Sequence, residues 1–430
     1  MARPNATERK DYDMIGGSAF LATAALLGGA WAMPLAAQDT RPPLLESQPD
    51  SSGGKDMDEA ALPANPAVED DADDWSLDVF GRLMLDAGTI DAPIGAGIDD
   101  GFGNEVRRAR LGIDGTVPGE IGYKLEMDVA TGEVVIFDAL IDREFGGVEV
   151  TLGQHNTFQG LEELTSSLHV SFIERAAFTD AFNFERRVGA SATAEEGIWL
   201  VQAGVFTDNL LDRRSDNRSF DTRLVAMPKF GEAQAHFGAS FHYNHIGSPD
   251  ESVRYRQRPL VHFTSDRFVD TRPLRAKDEL GVGLESAVIY GQFHAVAEAF
   301  WQRVDQIDAP ADPTFFGGSI EAGYFLTAGD TRSYRAGKFE RVRPKNKVGR
   351  GGFGSVQVNV RYDWLDLNDA GVIGGQQSGY YASLIWKPTD HLLFMLNYGH
   401  LEYDDAALAA ADGDRSYNDD VFGARAQFDF

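Results

Sequence analysis

The sequence predicts an all-β fold: a transmembrane antiparallel β-barrel of about 16 strands with one loop folded into its interior. Three observations predict it. From Trp75 onward, segments of alternating apolar and polar residues are separated by Gly, Asp and Asn clusters; the N-terminus has the plan of an export signal; and the chain stops on an apolar-alternating strand that ends in Phe430.

The N-terminal elements come first. Arg9 and Lys10 precede an Ala, Gly and Leu-rich run from Ile15 to Trp31, and Pro34-Leu35-Ala36-Ala37 lead into polar Gln38. This order of charge, short apolar run and small residues is that of a cleavable signal peptide over 1–37. Residues 38–74 hold eleven Asp or Glu against Arg41 and Lys55, with five prolines and few aromatics. Such a segment has too little apolar surface to fold, and is read as a flexible periplasmic tether. Residues 75–430 are the expected barrel.

Within the barrel region a period of two means a strand with two unlike faces. Val356, Val358, Val360, Tyr362 and Trp364 share one phase, and Gln357, Asn359, Arg361 and Asp363 the other. The same split separates Tyr123, Leu125, Met127 and Val129 from Lys124, Glu126 and Asp128, and Tyr380, Ala382, Leu384 and Trp386 from Tyr381, Ser383 and Lys387. A soluble sandwich alternates too, so the C-terminus decides. There Phe422, Ala424, Ala426, Phe428 and Phe430 alternate with Gly423, Arg425, Gln427 and Asp429. A closing strand with Phe428 and terminal Phe430 resembles the signal read by the barrel assembly machinery of the bacterial outer membrane. Trp301, Tyr362, Trp364 and Trp386 supply aromatics for girdles in outer-membrane lipid. Counting segments gives about 17 strands, with Tyr255 to Phe263 the weakest; single-chain barrels have even numbers, so 16 is expected, enough to enclose water.

Composition narrows the function. Beyond the N-terminus no run approaches the roughly 20 apolar residues of a membrane helix. With no Cys, thiolate metal sites and disulfides are excluded, and a net charge of −28 argues against nucleic acid as a partner. No nucleophile elbow, phosphate-cradling Gly loop or HExxH is present, so no enzyme and no cofactor are expected. His242 and His245, three apart on a strand, point to opposite faces and make a poor metal pair.

Against this acidic background, local runs of cations stand out. Arg254, Arg256 and Arg258 at spacing two place three guanidiniums on one face of an extended segment, roughly 7 Å apart. Arg335, Lys338, Arg341, Arg343, Lys345 and Lys347 are set against Glu340 alone. Alternation also puts Arg82, Arg108, Arg110, Lys124 and Asp138 on the polar, lumen-facing phase, whereas Arg107 falls on the lipid phase unless a bulge shifts it. Cations lining a water-filled pore favour anions.

Across 75–430 the sequence resembles the phosphate-selective porin O and P family. The resemblance rests on Phe80-Gly81-Arg82-Leu83, Arg107-Arg108-Ala109-Arg110-Leu111-Gly112, Gly160-Leu161-Glu162 with Thr165-Ser166-Ser167, Phe172-Ile173-Glu174-Arg175, Arg186-Arg187-Val188-Gly189 and Arg425-Ala426-Gln427-Phe428-Asp429-Phe430. It implies a homotrimeric 16-stranded outer-membrane porin whose third long loop, here about Gln154 to Asn183, narrows the pore. It also implies passive diffusion of small inorganic anions, phosphate or polyphosphate among them. Arg82, Arg107, Arg108 and Asp138 match the central anion site, beside Lys124 and the loop residues Thr165, Ser166 and Ser167. Arg254, Arg256 and Arg258 match an arginine row leading to that site, and the cluster holding Lys338, Arg341 and Arg343 matches a basic loop. The chain departs from the pattern at Glu163 and Leu168, which stand where phosphate-specific members carry lysines. A weakly selective porin for small solutes, or a plugged structural barrel, are the alternative expectations.

Overall fold

The computed structural model describes residues 75–95, 100–212, 216–248 and 252–430. The signal peptide and acidic segment expected over 1–37 and 38–74 lie outside the described residues. Alternation of the kind read above folds into sixteen long strands: β1 (Ser76–Asp91), β2 (Gly101–Val117), β3 (Ile121–Asp128), β4 (Val135–Phe145), β5 (Val148–Asn156), β6 (Arg186–Glu196), β7 (Trp199–Phe206), β8 (Arg218–Ala226), β9 (Ala233–His245), β10 (Leu274–Tyr290), β11 (Phe293–Gln306), β12 (Thr314–Phe325), β13 (Ser355–Asp369), β14 (Val372–Lys387), β15 (Leu392–Asp404) and β16 (Tyr417–Asp429). Each pairs antiparallel with its sequence neighbour, and β1 pairs with both β2 and β16, closing the sheet into a barrel. The segment from Tyr255 to Phe263 is not a wall strand. It belongs to the long β9–β10 connection, within which Arg256–Gln257 pairs with Val269–Asp270, and removing it turns the count of about 17 into sixteen.

The seam is closed by the last residue. Gly81 and Phe430 exchange backbone hydrogen bonds of 3.2 and 3.1 Å. A Cβ on Gly81 would sit 2.6 Å from the Phe430 ring, so only glycine lets that ring lie against β1. Phe428 and Phe430 both stand exposed on the outer surface.

Along β13, Gln357, Asn359, Arg361 and Asp363 are buried inside the barrel while Val360, Tyr362 and Trp364 are exposed outside. His242 and His245 likewise part: His242 meets Asp221 inside, and His245 meets Asp278 on the other face. Toward one end the pattern inverts. Leu365, Leu367, Phe300, Val304, Leu401, Tyr403 and Val421 point inward and are buried. They pack against Phe172, Ile173, Phe178 and Phe182 of the β5–β6 loop and Tyr255, Leu260, Val261 and Phe268 of the β9–β10 loop in one apolar cluster. Two loops, not one, therefore fold into this end. Gly423 marks the contact: a Cβ there would lie 2.2 Å from Ile173 Cδ1.

Residues 146–147, 197–198 and 291–292 are two-residue turns at the opposite end, the side on which such barrels keep their short periplasmic turns. The exception there is the long β12–β13 connection, 326–354, which tucks back into the barrel. Within it Ser333–Arg335 pairs with Lys338–Glu340, and Phe339 packs on Leu161, Ala287 and Ile289. Arg223, almost wholly buried in a 2.5 Å ion pair with Glu285, donates to the Gly337 carbonyl at 2.8 Å and so ties this connection to the wall.

Candidate pore constriction

Two irregularities in the sheet build the constriction. Met84 pairs with Arg108 and Leu85 with Val106, leaving Arg107 as an extra residue on β2. That bulge turns Arg107 into the lumen beside Arg108, supplying the shift that alternation alone lacked. On β4 the register passes from Asp138 opposite Glu126 to Ile136 opposite Met127, so Phe137 is the extra residue. Its ring turns inward, 3.4 Å from the Arg110 guanidinium carbon and 5.0 Å from that of Arg186.

The cations on this wall are held by carboxylates. Glu126, 1% exposed, is shared by Arg82 at 2.9 Å, Arg110 at 3.6 Å and Lys124 at 3.5 Å. Asp138 takes Lys124 and Arg186, both at 2.6 Å, and Asp128 takes Arg110 at 2.9 Å. Arg108 is different. It is 7% exposed, its one polar contact is the Met84 sulfur at 3.7 Å, and its Nε has no partner. It makes no ion pair among the described residues.

The β5–β6 loop faces this wall. Its short helix α1 (Leu161–Leu164) is anchored by Glu298, whose carboxylate accepts from the backbone N–H groups of Leu161 and Glu162 at 2.6 and 2.9 Å. Arg175 donates to the carbonyls of Glu162, Glu163 and Thr165, fixing the turn. Farther along, the Ile173 N–H reaches Asn397 and the Ser171 carbonyl accepts from Ser383, so the loop crosses to the far wall. At the near wall Arg82 donates to Ser166 Oγ at 3.4 Å and Ser167 Oγ at 3.2 Å, and Arg107 grips Glu174 with two bonds of 2.6 and 3.0 Å. Burial pushes the Glu174 carboxyl up, but Arg107, Arg108 and Arg425 outweigh it and hold the group well below the usual carboxylate range. Between wall and loop lies a cavity of about 800 Å³, bounded by Arg258 and His262 from the β9–β10 loop and by Lys338 and Glu340 from the periplasmic connection.

Most residues singled out in the sequence meet here: Arg82, Arg107, Arg108, Lys124, Asp138, Thr165, Ser166 and Ser167 all line the cavity. Thr165 has no free hydroxyl to offer, since it donates to the Leu161 carbonyl and accepts from the Phe339 N–H. Glu163 also lines the cavity, 3.3 Å from Arg175, while Leu168 lies behind the loop in a separate pocket.

The cations expected to form one funnel are divided. Of the arginine row, Arg258 reaches the cavity, Arg256 is exposed, and Arg254 is paired with Asp270. Lys338, Arg341 and Arg343 belong to the connection at the opposite, periplasmic end, where Lys338 lines the cavity and Arg341 is paired with Asp429. Sequence reading gave no role to Glu126, Glu174, Arg175 or Arg186. Glu126 lay on the same polar phase as Lys124, and the other three stood inside the quoted motifs, so the signal was there without the geometry.

Comparison with known proteins places this architecture. The profile of the family described as phosphate-selective porin O and P matches residues 78–430. An uncharacterised protein of Caulobacter vibrioides is 46% identical over 371 residues, covering 83% of this chain and 74% of its own. Among solved structures, an anion-selective porin from Comamonas acidovorans superposes with a TM-score of 0.53 at 13% identity, over 83% of this chain and 100% of its own. The trimer form of OmpT, an outer membrane protein of Vibrio cholerae, gives 0.52 at 13%, with the same coverage. At such identities the two structures speak for the fold alone.

Proposed function

The chain belongs to the phosphate-selective porin O and P family and is an outer-membrane β-barrel porin, and from that premise we propose that its pore passes small inorganic anions by passive diffusion, with weak preference among them. The observation that carries this reading is Arg108, a lumen guanidinium with no ion pair among the described residues, flanked by Arg107 and Arg110 in a cavity. An unpaired buried cation is costly unless an anion visits it, and its planar fork suits an oxyanion. The cavity lining carries nine Arg or Lys against eight Asp or Glu, slightly cationic in a chain of net charge −28.

Tight phosphate selection fits this lining less well. Glu163 adds a carboxylate to the cavity and Leu168 contributes no charge to it, so the reading stops at small anions, phosphate included. The experiment is a reversal-potential measurement in planar bilayers under a KCl gradient. Anion selectivity that falls when Arg108 becomes Met supports it, and a cation-selective wild-type channel overturns it.

Assembly as a homotrimer goes with this reading, supported by the family and by a trimeric structural relative. A monomer mass by native light scattering in mild detergent would oppose it. The export reading of 1–37 is checked by intact mass, with a mature chain starting near Gln38 expected.

A further inference from the structure

Behind the tip of the β5–β6 loop, on the side away from the main cavity, lies a second and much smaller pocket of about 20 Å³. It is lined by Lys387 at the end of β14, by Arg332 from the periplasmic connection, by Ser355 and Gln357 of β13, and by His169 of the loop tip. Lys387 is 5% exposed, Arg332 6% and Ser355 2%. Lys387 makes no hydrogen bond or ion pair among the described residues. Arg332 donates one bond, to the His169 carbonyl at 2.6 Å, and its Nε has no partner. The Ser355 hydroxyl and His169 Nδ1 are buried and unpartnered as well.

Two buried cations facing one pocket without a carboxylate are expensive, and the nearby acids are already taken. Asp429 is paired with Arg341, Asp390 with Lys347 at 2.5 Å and Glu162 with Arg361 at 3.4 Å, while Glu321 lies against the His294 ring at 3.5 Å. Burial, then the positive field of Lys387 and Arg341, pushes His169 down to about 3. The imidazole is therefore neutral and can turn an N–H toward the pocket. What the pocket lacks is a negative charge, and its donors are an ammonium, a guanidinium and a hydroxyl.

We propose that this pocket is a binding site for one small inorganic anion of halide size, held by Lys387 and Arg332 with Ser355 as a further donor. Its volume sets the size: a single water needs about 10–15 Å³ on this measure, so about 20 Å³ admits one water-sized occupant. The bound ion would join three parts of the barrel, namely the wall at Lys387 and Ser355, the periplasmic connection at Arg332 and the constriction loop at His169. It lies off the pore axis and does not depend on which solute the pore passes.

The test is crystallography of the full-length mature protein grown or soaked in bromide, with data at the bromine absorption edge. An anomalous peak between Lys387 and Arg332 in the wild type, lost in Lys387→Met, is the expected result. No peak there in the wild type, or a peak that persists in Lys387→Met, overturns the proposal. As a second readout, the melting temperature of the wild type in detergent should rise when gluconate is exchanged for chloride at constant ionic strength, and that rise should disappear in Lys387→Met. Equal melting in both salts for the wild type counts against the site. Reversal potentials on the same preparations report the pore separately, so an empty pocket leaves the pore reading standing.

Discussion

Replacing Glu163 by Gln removes one negative charge from the constriction with little change of shape. The loop should keep its form, because Arg175 holds it through the carbonyls of Glu162, Glu163 and Thr165 and not through the Glu163 carboxylate alone. A cavity of about 800 Å³ has an equivalent radius of about 6 Å, and at that distance a unit charge acts on an anion with about 0.7 kcal/mol at the dielectric of water. That corresponds to about a threefold rise in anion occupancy, more if the local dielectric is lower. Screening sets the conditions: the Debye length is about 10 Å at 0.1 M and about 3 Å at 1 M, so the gain should appear in dilute salt and fade in concentrated salt. Burial lifts the Glu163 carboxyl, against the pull of Arg175. Its negative charge is thus lost, as pH falls, earlier than that of an ordinary carboxylate. The difference between wild type and variant should be largest at neutral pH and shrink on acidification. The assay is the anion-to-cation permeability ratio from reversal potentials across salt and pH. A variant indistinguishable from wild type in dilute salt at neutral pH, or one shifted toward cations, would refute the reasoning.

Three further outcomes are expected. Changing Arg254, Arg256 and Arg258 together to Ala should lower anion conductance more in dilute than in concentrated salt, and Arg254→Ala alone, which removes one of the three charges and leaves Asp270 without that partner, should lower it less; an equal triple effect in both salts would contradict a screening role. Glu285→Ala leaves Arg223 buried without its ion pair and should destabilise the barrel by about 3–5 kcal/mol, measured by denaturant unfolding in detergent; a change under about 1 kcal/mol would show that the pair is dispensable. Gly81→Val would drive a side chain into the Phe430 ring and should reduce the folded barrel recovered from outer membranes, as should Phe430→Ala; unaltered recovery of both would detach the seam from assembly.

How much of this was legible in the sequence varied along each strand. Alternation read β13 well from Gln357 to Trp364, since lipid outside and water inside give each residue an unambiguous side. It could not anticipate Leu365 and Leu367, which point inward. Their surroundings are set by Phe172, Tyr255 and other loop residues that come from distant parts of the chain. The β9–β10 loop was hidden for the same reason: its short extended stretch around Arg256 has the local pattern of a wall strand, and only the closed barrel shows that no place remains for it. Arg107 was assignable only conditionally, because a bulge changes phase without any signature in residue type. Glu126 had the right phase but no partner until β1, β2 and β3 were side by side.

The two bulges have a consequence for how such a pore can change over generations. Arg107 is an addition to an alternation that is continuous without it, as Leu85 still faces Val106 and Met84 still faces Arg108. The pairing of β2 with β3 begins only at Arg110, so the neighbouring ladder does not register the extra residue. Phe137 is placed alike, because the pairing of β4 with β5 begins only at Ala139. A strand ordinarily presents one side chain to the lumen every 7 Å or so; these insertions double that density at one level and leave both flanks facing as before. A gain or loss of one codon at either position would therefore alter the chemistry of the narrowest part of the channel in a single step, with no other residue having to change sides.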